Sequence, residues 1–231
     1  MMHALPEYIE VETGVSPKHS VIWLHGLGAD GRDFADLPRM LNLPAAMAIR
    51  FLFPHAPMRP ITLNGGMTMR GWYDLTGLEV SNNEDLDGLQ ASSELVTALI
   101  HHEVANGIPA DQILLGGFSQ GGALSLYLGL RYPNRLAGIV ALSAYLPAAS
   151  RICVECSEVN QNTRVFMGHG LHDPMVSLQS GDASRKVLEK LGYPITWRTY
   201  SMEHSICEPE MRDLSQFFVG CLLGSADPNH T

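Results

Sequence analysis

Short runs of continuously apolar residues alternate along this chain with longer stretches whose apolar positions recur every three or four residues. The runs are residues 20–24 (SVIWL), 49–53 (IRFLF), Ile113–Phe118 (ILLGGF), Gly138–Leu142 (GIVAL) and 164–167. Continuous hydrophobicity is the pattern of strands buried on both faces, so these segments are expected side by side in a parallel sheet, with Ile195–Tyr200 (ITWRTY) as the last strand. Helices fill the gaps. Residues 85–105 carry Leu86, Leu89, Leu95, Val96 and Leu99 near helical spacing and stop at Asn106-Gly107. Residues 121–131 are rich in small side chains and are stopped by Pro133. Residues 179–191 end at Gly192, which suits a helix C-terminus. Residues 206–223 make a closing helix in which Pro209 is tolerable only in the first turn. The alternation predicts one α/β domain over residues 1–231, with a mostly parallel central sheet flanked by helices. Its core is expected over about residues 18–223, with 224–231 as a frayed tail. Residues 57–78 break the pattern. They hold Asn64-Gly65-Gly66, Met58, Met67, Met69, Trp72 and Tyr73, and a loop that long in a compact domain is usually functional.

One pentapeptide carries recognisable chemistry. Gly117-Phe118-Ser119-Gln120-Gly121 is a G-x-S-x-G pattern with an apolar strand running in and a small-residue helix running out. That context makes a nucleophile elbow, a tight turn that lifts a serine hydroxyl clear of the sheet near a helix N-terminus. The bland alternative is a glycine-rich turn with an incidental serine. A serine nucleophile needs a base and an acid, which in this arrangement follow it in the order acid, then histidine. Downstream of Ser119 the histidines are His169, His172, His204 and His230. His204 follows the last strand and precedes the final helix, whereas His230 lies in the tail. Of the acids between Ser119 and His204, Asp173 follows the 164–167 strand, and strand C-terminal ends are where open α/β sheets gather their sites. Ser119, Asp173 and His204 are therefore the candidate nucleophile, orienting acid and general base.

Leu24-His25-Gly26-Leu27-Gly28-Ala29-Asp30-Gly31 follows the first strong strand. A glycine-rich loop there aims a backbone N–H at a substrate oxyanion, and the residue after the nucleophile supplies a second. The candidate donors are the backbone N–H groups of Leu27 and Gln120. The loop lacks the G-K-[ST] end of a phosphate-binding loop and the spacing of G-x-G-x-x-G.

Composition narrows the function further. A formal net charge of −9 gives no electrostatic grip on nucleic acid. No apolar stretch approaches the ~20 residues of a membrane helix, and the acidic N-terminus is no secretory signal, so no integral membrane association and a cytoplasmic location are expected. Cys153-x-x-Cys156 lacks a second pair at zinc spacing from Cys207 and Cys221, and the four cysteines read as reduced thiols in packing positions. His169 and His172 read as part of the turn that delivers Asp173 rather than as metal ligands. No metal or cofactor is expected.

Phe53-Pro54-His55-Ala56-Pro57, His25-Gly26-Leu27-Gly28, the Ser119 pentapeptide, Gly168-His169-Gly170 with Asp173, and His204 together resemble the phospholipase/carboxylesterase family, which includes the acyl-protein thioesterases. The resemblance runs from about residue 21 to residue 218. It implies an α/β-hydrolase fold without a large cap domain, often a homodimer. It also implies metal-free hydrolysis of short- to medium-chain esters and thioesters, hence a small-molecule or lipid-like ester as substrate. Leu63-Asn64-Gly65-Gly66 with Arg70-Gly71-Trp72-Tyr73-Asp74 looks more like the bacterial carboxylesterases than the eukaryotic thioesterases. Met175 stands where family members more often carry Val, a more flexible side chain beside the acid. The apolar content of the irregular segment suggests that Leu63, Met67, Trp72 and Tyr73 line an acyl channel, with Met175 adding to its width. The alternative is that these residues fold back onto the core. The function expected is a serine carboxylesterase acting on oxyesters. Acyl-protein thioesterase or lysophospholipase activity is the alternative, and a non-catalytic binding role on the same fold the remote one.

Overall fold

A computed structural model describes residues 5–77 and 84–224. In chain order the elements are β1 (Tyr8–Glu12), β2 (His19–Leu24), α1 (Leu37–Leu41), β3 (Ile49–Pro54), β4 (Met58–Ile61), β5 (Met67–Arg70) and α2 (Leu86–Ala105). There follow β6 (Ile113–Phe118), α3 (Gln120–Gly129), β7 (Gly138–Leu142), α4 (Ile152–Glu155), β8 (Val165–Gly170), α5 (Leu178–Lys190), β9 (Ile195–Tyr200) and α6 (Glu208–Leu222). Seven strands form one sheet in the order β1-β3-β2-β6-β7-β8-β9. All neighbours are parallel except β1, which pairs antiparallel with β3 at the edge.

The alternation of side chains along each strand divides the core in two. On one face Ile22, Leu24, Leu52 and Leu115 pack with Leu89, Val96 and Leu99 of α2 and Leu124 and Leu128 of α3. On the other, Val21, Trp23, Phe51, Phe53, Val140 and Phe166 pack against Leu37 and Leu41 of α1 and Met211, Leu214, Phe217 and Phe218 of α6. Both faces are covered, which is why the central strands read as unbroken apolar runs. The six strands and four helices expected from the sequence are all present, with ends displaced by at most three residues. Asp85 caps α2 by accepting from the Gly88 N–H (2.9 Å), and Pro209 falls in the first turn of α6.

Three features differ from expectation. The irregular segment contains a two-stranded hairpin, β4 paired antiparallel with β5, around a turn at Gly65 and Gly66 that both adopt positive φ. Its last residue, 78, and the tail from 225 to 231 with His230 lie outside the described residues. Strand β1 lacked an apolar signature because its glutamates face Arg50. Cys153 is exposed rather than packed, and all four cysteines are free. No helix among the described residues is long and apolar enough to cross a membrane.

Arg50 joins three elements at the sheet edge. From β3 its guanidinium reaches Glu12 of β1 (3.0 Å) and Glu103 of α2 (3.3 Å), and Glu103 is fully buried. Removing one partner of a buried pair strands the other charge, at a cost of about 3–5 kcal/mol. Arg50→Met should therefore lower the thermal midpoint clearly, and Arg50→Met with Glu103→Leu should recover most of it. Equal midpoints for the wild type and the single variant would show that the pair contributes nothing.

Candidate active site

The fold brings Ser119, His204 and Asp173 together from three separate strand ends. Ser119 sits between β6 and α3 with φ 55° and ψ −120°, a conformation that L residues rarely adopt. Its N–H donates to the Leu142 carbonyl (2.8 Å) at the end of β7. The turn needs glycine on both sides. A Cβ on Gly117 would stand 2.5 Å from the Leu24 oxygen, and one on Gly121 would stand 2.2 Å from that same oxygen.

His204 lies in the segment between β9 and α6. Its Nε2 is 2.9 Å from Ser119 Oγ and its Nδ1 is 2.8 Å from Asp173 Oδ2. The Phe118 ring packs on the imidazole with centroids 4.7 Å apart. Asp173 lies beyond the end of β8, and its carboxylate is fully buried. Its second oxygen, Oδ1, accepts from the N–H groups of Met175 (2.8 Å) and Val176 (2.9 Å). Both oxygens are thus engaged, as a buried carboxylate requires. An acceptor-only carboxylate at Nδ1 places the imidazole proton there and leaves Nε2 free to accept from the serine hydroxyl.

A second histidine, His169, backs the acid. Its Nε2 donates to the Val176 carbonyl (2.9 Å) and lies 3.6 Å from Asp173 Oδ2. Burial lowers its pKa, and the carbonyl and Asp173 act against that shift. His172 is exposed. Among the described residues no group of three or more His, Cys, Asp or Glu side chains is arranged to hold a metal ion.

The loop after β2 lies against the serine, since a Cβ on Gly26 would stand 3.4 Å from the Ser119 Cβ. His25 organises this loop. Its Nε2 accepts from the Ala56 N–H (3.0 Å), so the ring proton is on Nδ1, which donates to the Gly26 carbonyl (2.7 Å). Burial lowers the His25 pKa, in keeping with a neutral ring. Among the described residues, the backbone N–H groups of Leu27 and Gln120 donate to no protein acceptor. The β4–β5 hairpin docks on the loop through Gly28 N–H to the Arg70 carbonyl (2.8 Å), and Leu27 packs beside Gly71.

The expected acyl lining divides. Trp72 is fully buried and Tyr73 nearly so, the placement of the alternative reading in which they fold back onto the core. Trp72 is instead a brace: its indole N–H donates to the His25 carbonyl (2.9 Å), and Ser92 Oγ donates to its own carbonyl. The Tyr73 hydroxyl pairs with that of Tyr145 (3.1 Å). The Gln120 side chain ties the elbow to the same segment, accepting from the Trp72 N–H (2.8 Å) and donating to the Tyr73 carbonyl (2.7 Å). The sequence reading used only the Gln120 backbone; an amide beside the nucleophile gave no sign of this clamp. Leu63 is half-buried, while Met67 and Met175 are 64% and 52% exposed, so these three keep apolar surface. Met69, unassigned from sequence, has its sulfur 3.7 Å from where a Gly28 Cβ would lie.

The family model of the phospholipase/carboxylesterases matches residues 6–222. The chain belongs to that family. It is 40% identical to acyl-protein thioesterase 1 of Neurospora crassa over 90% of this chain and 89% of the relative. It is 38% identical to the protein of that name in Gibberella zeae, over 86% and 88%. Among solved structures, Arabidopsis thaliana SOBER1 superposes with a TM-score of 0.83 at 30% identity, covering 88% of this chain and 99% of that one. Zea mays acyl-protein thioesterase 2 gives 0.83 at 28%, covering 94% and 99%. The fold is thus that of the α/β-hydrolases without an added cap, and the chain is an ester hydrolase of that class. The hairpin motif that resembles bacterial carboxylesterases does not separate the branches, since these curated relatives are fungal thioesterases.

The bracing role of Trp72 has a kinetic consequence. Trp72→Phe keeps the ring but deletes the donor to His25, and a displacement of ~1 Å at a catalytic group can cost about 100-fold in rate. The variant should lose kcat by about 10-fold or more, with its preferred acyl length unchanged. A shifted length preference at undiminished kcat would return Trp72 to the channel wall.

Proposed function

We propose that this protein is a serine carboxylesterase that cleaves short- to medium-chain carboxylic esters through an acyl-enzyme on Ser119. The observation that carries the reading is the unbroken hydrogen-bonded chain from Ser119 Oγ through His204 to Asp173. In the mechanism this geometry supports, His204 Nε2 takes the hydroxyl proton as Ser119 Oγ attacks the ester carbonyl carbon. Asp173 holds the imidazole tautomer and stabilises the imidazolium that forms. The carbonyl oxygen becomes an oxyanion facing the Leu27 and Gln120 N–H groups, and each such donor is worth about 3–4 kcal/mol by analogy with measured sites. His204 then returns its proton to the leaving alcohol, and the acyl group stays on Ser119. Water repeats the sequence and releases the carboxylic acid. None of these steps calls for a metal or a cofactor.

A second reading concerns the leaving group. The relative at 40% identity is named an acyl-protein thioesterase. A thiol, with a reference pKa of about 8.5, leaves with less proton donation than an alcohol, so the same machinery serves thioesters. The chemistry at Ser119 is common to both readings, and the acyl group in either is apolar.

Turnover of p-nitrophenyl esters from acetate to laurate, by the wild type and Ser119→Ala in parallel, tests the proposal. Activity should peak at one chain length and fall by about 10,000-fold or more in the variant. Wild-type activity that survives in Ser119→Ala would remove Ser119 from its role. Matched oxyester, thioester and lysophospholipid substrates then rank the leaving groups.

A further inference from the structure

A second carboxyl is buried beside the site and takes no part in the mechanism above. Glu210, in the first turn of α6, has no exposed surface, and among the described residues its carboxylate oxygens meet only the Cys207 backbone, short of full hydrogen-bond geometry. Its place is decided by Gly168 of β8. A Cβ on Gly168 would lie 2.2 Å from Glu210 Oε1, so the carboxyl rests where a side chain would otherwise be. Two residues on, along the same face of β8, a Cβ on Gly170 would lie 2.3 Å from the Glu203 carbonyl oxygen and 2.5 Å from that of Met202. Both glycines thus receive the segment that carries His204, one on each side of it. Gly168 is also linked to the nucleophile: its carbonyl accepts from the Ser143 N–H (2.8 Å), and Leu142, just before, accepts from the Ser119 N–H.

We propose that Glu210 is a positioning residue for His204, its carboxyl seated on Gly168 so as to fix the His204 segment relative to the strand ends that deliver Asp173 and Ser119. The inference rests on the triad reading above. Glu210 touches neither Ser119 nor substrate; it acts through the backbone of β8 and the start of α6.

The surroundings favour an uncharged carboxyl. Burial pushes its pKa up to about 8, with the Cys207 backbone opposing and Asp213 adding to the rise. The titratable groups facing it are Asp213 of α6 and Tyr200 of β9, with the Cys207 backbone at the helix cap. The Tyr200 hydroxyl donates to Asp213 (2.8 Å), and the guanidinium of Arg198 lies 3.7 Å from Asp213. Among the described residues no cation is paired with Glu210 itself. Loss of its proton therefore places a bare negative charge between α6 and β8, against an apolar wall that includes Leu142. The linkage has a definite sign. With the folded pKa above the unfolded one, the contribution to stability is fully present below about pH 4.5 and declines as pH rises towards about 8, beyond which it is lost.

The test compares pH profiles of kcat and KM for a short p-nitrophenyl ester in the wild type, Ser119→Ala, Glu210→Gln and Glu210→Ala, with thermal midpoints from pH 5 to pH 9. The isosteric Gln should keep kcat at pH 7 within about threefold, lack the fall in kcat expected of the wild type above about pH 8, and flatten the decline in midpoint. Glu210→Ala should lose kcat at least tenfold at unchanged KM. Superimposable wild-type and Glu210→Gln profiles would overturn the inference, whatever Glu210→Ala does to folding. Activity surviving in Ser119→Ala would instead overturn the triad on which the inference rests.

Discussion

The backbone at Ser119 can hold its unfavourable conformation because another backbone segment passes through space that side chains would fill. The carbonyls of Leu24 and His25 run against Gly117 and Gly121 closely enough that a Cβ on either glycine would meet backbone, which cannot move aside as a flexible side chain can. A residue held at positive φ costs of the order of 1–3 kcal/mol and survives only where its neighbours over-determine it. Here the β6–β7 ladder supplies that constraint on one side, through the Ser119 N–H and the Leu142 carbonyl, and the loop after β2 supplies it on the other. The same close approach carries the loop after β2, with the proposed donor Leu27, against the serine: a Cβ on Gly26 would stand 3.4 Å from the Ser119 Cβ.

Two carboxyls are buried near the ends of these strands, and they are partnered differently. Asp173 receives two backbone N–H groups and an imidazole, so a charge there is compensated. Glu210 receives no comparable donors, and burial drives it to bind a proton. His25 and His169 make the same contrast with His204. Each of the first two has a ring N–H committed to a backbone carbonyl and a pKa lowered by burial. Only His204 bridges two side chains, and only it has both ring nitrogens placed for proton transfer.

The central strands were legible because burial on both faces leaves a continuous apolar run, and Ser119, Asp173 and His204 could be singled out as candidates because each follows a recognisable strand. The edge strand β1 was not: Glu10 and Glu12 make it look like solvated chain until Arg50 is placed opposite them. The hairpin was hidden by Pro60 and by methionines on both strands, which blur any alternation. Trp72 and Tyr73 could not be assigned to wall or core, since an aromatic side chain has the same sequence signature in either place. What decides it is a partner far along the chain, His25 for Trp72 and Tyr145 for Tyr73. Glu210 was passed over for a related reason. An acid in the first turn of a helix reads as a complement to the helix dipole, and nothing local reveals that this one faces inward.

These placements imply a division of labour between floor and rim. The groups that face the reacting atoms are backed by committed hydrogen bonds: His25 on Ala56 and Gly26, Gln120 on Trp72 and Tyr73, Asp173 on Met175 and Val176. The apolar residues left with open surface are Leu63, Met67 and Met175, two of them unbranched thioethers with several rotatable bonds. A floor held in one geometry preserves the alignment that lowers the barrier, whereas a rim of methionines can repack around acyl groups of different length at small cost. On the proposed acyl-channel reading, selectivity for chain length depends on how far the rim can close and the rate constant for acyl transfer on the floor, so that a substitution at Met67 or Met175 and one at Gln120 act on different kinetic constants.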